Sequence, residues 1–278
     1  NHNFKFALPD FKTFLFSINK KKLNLFCEEN QIPCPCFLSD QMFDSKAFSF
    51  PIILKPKQGS SAKGIIYIDD EKDSKGLNID YNTFFLQERL PNTKNVEAGF
   101  FLCEKGKVLS FYGHKRIRTW PSSGGVSVFS KCSNSLEIEK SGKLIIKKLN
   151  WSGLLMIEFL FDKRDGLYKL IEINPRLWGS IMLSEFCGAE FLRKYIDLSI
   201  GNVVSETKMK EDVFLRWIFP YDIFHWMRKL SNPFIYFKTN NNVCHVNFTY
   251  STFFKTFLFI ILTYTSFYKI SKLFGNGK

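Results

Sequence analysis

Two apolar-rich runs, Leu154 to Asp162 and Leu167 to Ile173, flank the tripeptide Arg164-Asp165-Gly166, and no other stretch constrains the fold as tightly. Branched and aromatic residues in short runs around a glycine turn specify an antiparallel hairpin, with the glycine in the left-handed position of a three-residue loop. In that register Lys163 faces Leu167, Glu158 sits opposite Glu172, Leu160 opposite Leu170 and Met156 opposite Asn174. The other face pairs Ile157 with Ile173 and Phe159 with Ile171, a dry packing surface.

Directly facing carboxylates are ~5 Å apart at Cβ, and like charges so placed destabilise a sheet unless something resolves the repulsion. Asn174 and Arg176 lie two and four residues beyond Glu172, on the same face while the strand continues. Two carboxylates and an amide oxygen suit a hard divalent cation, Mg2+ or Mn2+. Arg176, permanently charged and forked, suits a phosphate or a developing anion. The competing reading is a pair of solvent-facing glutamates, since a one-residue slip separates their faces. The apolar neighbours Met156, Ile157, Phe159, Leu160, Ile171 and Ile173 favour the buried, cation-binding one.

Upstream, Lys20 to Asn30 reads as a helix with Leu23, Phe26 and Cys27 on one stripe, ending before Ile32-Pro33. Phe50 to Pro56 is a short buried strand, and the loop Gln58-Gly59-Ser60-Ser61-Ala62-Lys63-Gly64 runs into a second strand, Ile65 to Ile68. That loop neither opens a helix nor ends in Gly-Lys-Ser/Thr, which excludes a Walker A loop, and a Rossmann fingerprint fails likewise. Two readings stay open: a phosphate lid rich in backbone N–H donors, or a plain surface turn carrying a lysine. Further strands are expected at Thr83–Glu88, Glu97–Cys103 and Val108–Gly113, followed by the basic run His114 to Arg118 and a helix over 135–150.

The string Ile171-Glu172-Ile173-Asn174-Pro175-Arg176, preceded by Met156-Ile157-Glu158-Phe159 and by a lysine-ending strand with a Gly/Ser loop, resembles the ATP-grasp superfamily. Its carbamoyl-phosphate-synthetase-like and biotin-carboxylase-like ligases are the most similar branch, and the resemblance covers roughly Asn19 to Glu190. It implies an α+β fold in which two subdomains with mainly antiparallel sheets grip ATP between them. Residues 19–90 would form the small, lid-bearing subdomain and 91–205 the metal and phosphate subdomain. Residues 1–18 would be a remnant of an α/β domain that such proteins usually carry ahead of this region, and 206–278 a basic, Phe-rich helical tail.

The resemblance also implies roles. Lys22, or a neighbour in the run Lys20 to Lys22, resembles an early phosphate-contacting lysine, and Lys55 the strand lysine that reaches the α-phosphate and adenine. Gly59, Ser60, Ser61 and Gly64 would belong to the phosphate lid. Gln87, Glu88, Arg89 and Leu90 look like the hinge beside adenine, with Gln where Glu is frequent, and Glu97 like the acid that binds the ribose. Glu158, Glu172 and Asn174 resemble the metal ligands, while Arg176, with Lys55, would carry the catalytic neutralisation of charge. Lys115, Arg116 and Arg118 either bind an acidic acceptor or phosphate or are a solvated basic edge.

Thirty-nine Lys and Arg against 26 Asp and Glu leave a net charge of +13, which favours polyanions. Beyond Ile223 no acidic residue occurs, so much of that charge sits in the tail. The uncharged stretch Thr256 to Tyr268 is shorter than the ~20 residues needed to span a bilayer. It is expected to pack on the domain or to rest on anionic lipid. Seven irregularly spaced cysteines without a C-x-x-C pair argue against a disulfide framework or zinc site and for a reducing, cytoplasmic setting, with a membrane-peripheral one through the tail as the alternative. No nucleic-acid-binding motif stands behind the basic charge. The expected activity is an ADP-forming carboxylate–amine ligase acting on small molecules with Mg-ATP. The alternative is a non-catalytic nucleotide-binding or membrane-surface protein on the same scaffold.

Overall fold

The computed structural model describes residues 5–39, 43, 48–59, 63–91, 96–121, 125–205, 207–229, 231–236, 238 and 242–246. They build two sheets. The smaller has the order β1 (Phe37–Leu38), β4 (Phe84–Glu88), β2 (Ile52–Pro56), β3 (Ile66–Ile68), with antiparallel pairing throughout. Alternation along β2 splits its residues between two faces. Ile52 and Leu54 join Leu38, Ile68 and Leu86 in a core cluster, whereas Ile53 and Lys55 face away from it.

The larger sheet runs β11 (Val243–Val246), β10 (Phe214–Trp217), β7 (Val126–Ser133), β6 (Lys107–Trp120), β5 (Val96–Glu104), β8 (Gly153–Asp162), β9 (Leu167–Asn174). All its pairs are antiparallel except β10 with β11. Helices cover one face and part of the other, and the uncovered part of the second face is left to the cleft. On one face Phe101, Leu155, Ile157, Phe159 and Ile173 pack with α2 (Lys20–Glu29) and α4 (Leu136–Leu149). On the other, Ala98, Phe100, Leu102 and Tyr112 pack with α5 (Ile181–Phe186) and α6 (Phe191–Ser199). Further short helices among the described residues include α1 (Phe11–Ser17), α3 (Glu71–Ser74), α7 (Ile223–Lys229) and α8 (Pro233–Tyr236).

Local chemistry explains the helix ends. Asn19 caps α2 by accepting from Lys22 N at 3.0 Å, and Ser135 caps α4 by accepting from Ile138 N at 3.4 Å. In α4, Glu137 and Glu139 fill the first turn and Lys147 and Lys148 the last, matching the helix dipole. Mid-helix Gly142 lets α4 approach the sheet: a Cβ there would lie 2.1 Å from Cζ of Phe101.

Several expectations are corrected. Glu158 does face Glu172, Met156 faces Asn174 and Ile157 faces Ile173, but a bulge follows, so Phe159 pairs with Leu170 and Leu160 with Lys169. The tip spans residues 163–166, four rather than three, and Ile171 is the extra residue left without a partner. β6 does not end at Gly113 but continues to Trp120, because β7 pairs with the basic run. Helix α2 precedes the small sheet in sequence yet places Leu23 and Cys27 in the core of the large one, so residue 19 is not a structural boundary. The first residues are docked rather than linker-like: Lys5 N donates to Ser199 O at 2.8 Å and Tyr195 Oη to Ala7 O at 3.2 Å. Beyond residue 205 the described chain is not simply helical, since β10 and β11 extend the large sheet. The stretch Thr256 to Tyr268 lies outside the described residues. Among those described, no helix is long and apolar enough to cross a membrane.

Candidate active site

The free faces of the two sheets enclose a cleft of about 370 Å³. From the small sheet come Ile53 and Lys55 on β2, and Gln87 and Glu88 at the end of β4, followed by Arg89 and Leu90. From the large sheet come Met156, Glu158 and Leu160 on β8, and Glu172 and Asn174 on β9, followed by Arg176. Strand alternation produces this: Ile157, Phe159 and Ile173 go to the core, so the residues between them go to the cleft.

Each facing carboxylate has a cation. Arg116 Nη2 pairs with Glu158 Oε1, and Lys20 Nζ pairs with Glu172 Oε2 at 3.4 Å. Asn174 Nδ2 donates to Glu172 Oε1 at 3.1 Å, and its Oδ1 accepts from Arg176 Nη2 at 3.3 Å. Burial raises the Glu158 carboxyl to about 7 against the opposing pull of Arg116, with Glu172 adding to the rise. Burial also works to raise Glu172, but Lys20, the Asn174 amide and Lys55 together outweigh it and hold that carboxyl below the ordinary value. The pair therefore offers one readily ionised and one reluctant carboxylate. Two carboxylates with an amide oxygen form a hard donor set that fits a magnesium-like ion completing its shell with water or phosphate oxygens. Such an ion would take over the neutralisation now supplied by Lys20 and Arg116. Among the described residues no group of three or more His, Cys, Asp or Glu side chains is placed to hold a metal, so Asn174 is needed for a third protein ligand.

Lys55 crosses the cleft. Its Nζ donates to the carbonyl of Ile171 at 3.1 Å, the residue that the bulge leaves out of the ladder. Burial lowers its pKa to about 8, Lys20 adds to the fall, and Glu172 and Glu158 oppose it.

The structure brings together most, not all, of the residues singled out in sequence. Lys55, Gly59, Gln87, Glu88, Arg89, Leu90, Glu158, Glu172, Asn174 and Arg176 line the cleft. Lys22 does not: it is exposed on α2, and Lys20 at the first helical position is the lysine that enters, also donating to Gly59 O. Gly64 is not a lining residue, although the neighbouring Lys63 is. Ser60 and Ser61 lie outside the described residues. Glu97 sits on the helix-covered face of β5, where its carboxylate takes Lys115 Nζ at 2.8 Å, Tyr168 Oη at 3.0 Å and Ser133 Oγ at 3.1 Å. It therefore does not reach the cleft. Of the basic run His114 to Arg118, only His114 and Arg116 line it. Lys115 is engaged with Glu97, and Arg118 is held by Asp222 at 3.3 Å between the rings of Phe129 and Tyr236.

Sequence reasoning missed the far end of the cleft, lined by His114, Ser127, Trp178, Ser180, Trp217 and Tyr221. Ser180 Oγ lies 2.9 Å from His114 Nδ1, and burial, with Arg116 nearby, lowers that histidine to about 3. The basic run already points to Arg116; only the extension of β6 past Gly113 could have signalled His114, which alternation turns to the same face.

Comparison with known proteins agrees with this geometry. A family model, the ATP-grasp domain, matches residues 18–180. Acetyl-CoA carboxylase of Saccharomyces cerevisiae is 23% identical over 149 residues, which cover 50% of this chain and 7% of that protein. The chain thus spans a small part of the length of the curated relatives it matches. Among solved structures, the biotin carboxylase domain of Hydrogenobacter thermophilus 2-oxoglutarate carboxylase, in complex with MgADP, ADP and bicarbonate, superposes with a TM-score of 0.58 at 16% identity, over 74% of this chain and 51% of that one. N5-carboxyaminoimidazole ribonucleotide synthetase from Thermotoga maritima gives 0.56 at 20% identity over 73% and 54%. L-amino acid ligase from Bacillus licheniformis gives 0.52 at 20% identity over 69% and 49%. These likenesses establish a shared fold, and with the family model spanning more than half of its length, the chain belongs to the ATP-grasp family.

Proposed function

We propose that the chain binds Mg-ATP in the cleft and uses it to join a small carboxylate to an amine. The observation that carries this reading is the facing pair Glu158 and Glu172, flanked by Asn174 and Arg176 and approached across the cleft by Lys55 and Lys20. Family membership supports it, as does the fold shared with a carboxylase domain bound to MgADP and with an L-amino acid ligase. Gln87 to Leu90 would hold the adenine edge, and Gly59 with its loop would cover the phosphates. Lys20, Lys55 and Arg176 would neutralise the charge on the transferring phosphoryl group. A magnesium or manganese ion held by Glu158, Glu172 and Asn174 would supply further neutralisation of the phosphates.

The reaction we infer runs through an acyl-phosphate. A substrate carboxylate oxygen attacks the γ-phosphorus, the bond to the β–γ bridging oxygen breaks, and ADP leaves. The amine nitrogen then attacks the acyl carbon, inorganic phosphate departs, and the nitrogen loses a proton to give the amide. Holding both reactants in one cleft supplies the orientation that such a step requires.

One observation favours a second reading, a nucleotide-binding protein without turnover: both carboxylates already have partners, Arg116 and Lys20. Calorimetry with ATP, with and without magnesium, separates the two. Magnesium-dependent binding that Glu172→Ala abolishes, with ADP release on adding a carboxylate and an amine, supports the ligase. Binding that ignores magnesium, without ADP release, supports the alternative.

A further inference from the structure

At the hinge side of the cleft a closed ring of contacts joins the two sheets. Arg164, in the tip between β8 and β9, pairs through Nη2 with Glu88 Oε1 at the end of β4. The other oxygen, Glu88 Oε2, accepts from Cys36 N at 3.1 Å, and Glu88 N donates to Cys36 O at 2.9 Å. Earlier on that strip Pro33 O accepts from Leu170 N of β9 at 2.8 Å, which returns the path to the hairpin. The hairpin therefore holds Glu88 twice, directly through Arg164 and indirectly through the backbone of residues 33–36.

Most surface ion pairs contribute little, because two long side chains must be ordered to make them. Arg164 is 50% exposed, yet its order is set inside the tip. Its Nε donates to both oxygens of Asp162, at 3.0 and 3.1 Å, its Nη2 to Oδ2 at 2.6 Å, and its backbone N to Oδ1 at 3.0 Å. Asp162 is buried and is itself fixed by Lys169 Nζ at 2.8 Å. A fork already seated on one carboxylate needs little further ordering to meet a second. Glu88 lines the cleft between Gln87 and Arg89, whereas Arg164 is not among the lining residues. Any influence of Arg164 on a nucleotide therefore passes through Glu88.

We propose that Arg164 is a positioning residue for the nucleotide: by gripping Glu88 it fixes the run Gln87 to Leu90 against the large sheet and holds the base end of the cleft on its ligand. The inference rests on the Mg-ATP reading and adds to it a residue outside the cleft that governs affinity for the base. Inorganic tripolyphosphate has the phosphates without the base, so it would engage only the end of the cleft that carries Lys20, Lys55 and Arg176.

The test is calorimetry on the full chain with magnesium, comparing a non-hydrolysable imido analogue of ATP with tripolyphosphate. Arg164→Gln should weaken the analogue about fivefold or more while changing tripolyphosphate affinity by no more than about twofold. Glu88→Gln should act alike, and the double variant should lose no more than about twofold beyond either single one, because the two residues form one link. Glu88→Gln also serves if Arg164→Gln does not fold, since it leaves Arg164 seated on Asp162. Asp165→Asn loosens the same tip, through its bonds to Leu167 N at 3.1 Å and Lys169 Nζ at 3.0 Å, and should leave analogue affinity within about twofold. Unchanged analogue affinity in both single variants, an equal loss with tripolyphosphate, an equal loss in Asp165→Asn, or additive losses in the double variant overturns the inference alone. A folded wild-type chain that does not bind the analogue overturns the Mg-ATP reading, and the inference with it.

Discussion

Lys55 Nζ reaches from the small sheet to the carbonyl oxygen of Ile171 on the large one, 3.1 Å away, and it can do so because Ile171 is the residue that the β8–β9 ladder omits. A regular ladder would have engaged that stretch of backbone with β8. The bulge thus frees a carbonyl where the buried ammonium needs an acceptor. Burial sets the Lys55 pKa at about 8, so the charged form prevails below that value and is lost above it.

Nucleotide affinity should therefore hold steady up to about pH 8 and then fall by up to ~tenfold per pH unit, if only the ammonium form binds phosphate. Lys55→Arg, which stays charged, should flatten that alkaline fall even if it weakens binding overall. Calorimetric affinities at pH 7, 8 and 9 check this, and an unchanged alkaline limb in the arginine variant would remove Lys55 from the phosphate site.

Arg116→Met should be costly because it strips a buried carboxylate of its partner. Removing one member of a buried pair typically costs ~3–5 kcal/mol, and Glu158 is only 4% exposed. The sign with pH is fixed: Glu158 has a raised pKa, so ionising it without Arg116 is penalised at pH 8 and avoided at pH 5, where it keeps its proton. Urea midpoints should show a large deficit at pH 8 and a smaller one at pH 5. Adding Glu158→Gln should recover most of the loss.

His114 predicts acid lability of a different origin. Its folded pKa is lowered to about 3 by burial, below the ordinary 6.5, so the stability of the neutral form is present above 6.5 and is lost as pH falls towards 3. One such group contributes at most ~1.4 kcal/mol per pH unit across that window. His114→Gln, which cannot charge, should shallow the slope of unfolding free energy between pH 6 and 4. An unaltered slope would place the acid sensitivity elsewhere.

Gly142→Ala tests the packing of α4 on the sheet. A Cβ there meets the Phe101 ring at 2.1 Å, and that ring also lies 2.7 Å from a Cβ at Gly99. With no room on either side, overpacking should outweigh the better helix propensity and destabilise by ~1–3 kcal/mol, readable as a lowered urea midpoint.

The facing of Glu158 and Glu172 was legible because alternation assigns each residue of a strand to a face, and the face is what burial selects. The pairing near the tip was not: a four-residue tip and a bulge at Ile171 each shift the register by one, and the two shifts cancel before Glu172. Lys20 and Lys22 stand in one basic run, but two residues turn a helix by ~200°, so only one of them can enter the cleft. Glu97 could have been placed by the same alternation, since it shares a face of β5 with Phe101 and the dry core. Trp217 and Tyr221 gave no signal, because their approach to the cleft depends on β10 pairing with β7, more than eighty residues upstream.

Helix α2 leaves the ribosome well before the strands it packs on. Leu23 and Cys27 find their partners in Ile145, Ile146, Ile157 and Ile173, more than a hundred residues later, while the strands of the small sheet all lie between Phe37 and Glu88. During synthesis the small sheet can close while α2 still waits with its apolar stripe uncovered. Such long-range closure is slow, and a waiting apolar helix is a surface for chaperones or for aggregation. The same event that buries α2 also brings Lys20 to Glu172, so that side of the cleft forms with the hairpin, before Trp217 and Tyr221 complete the lining.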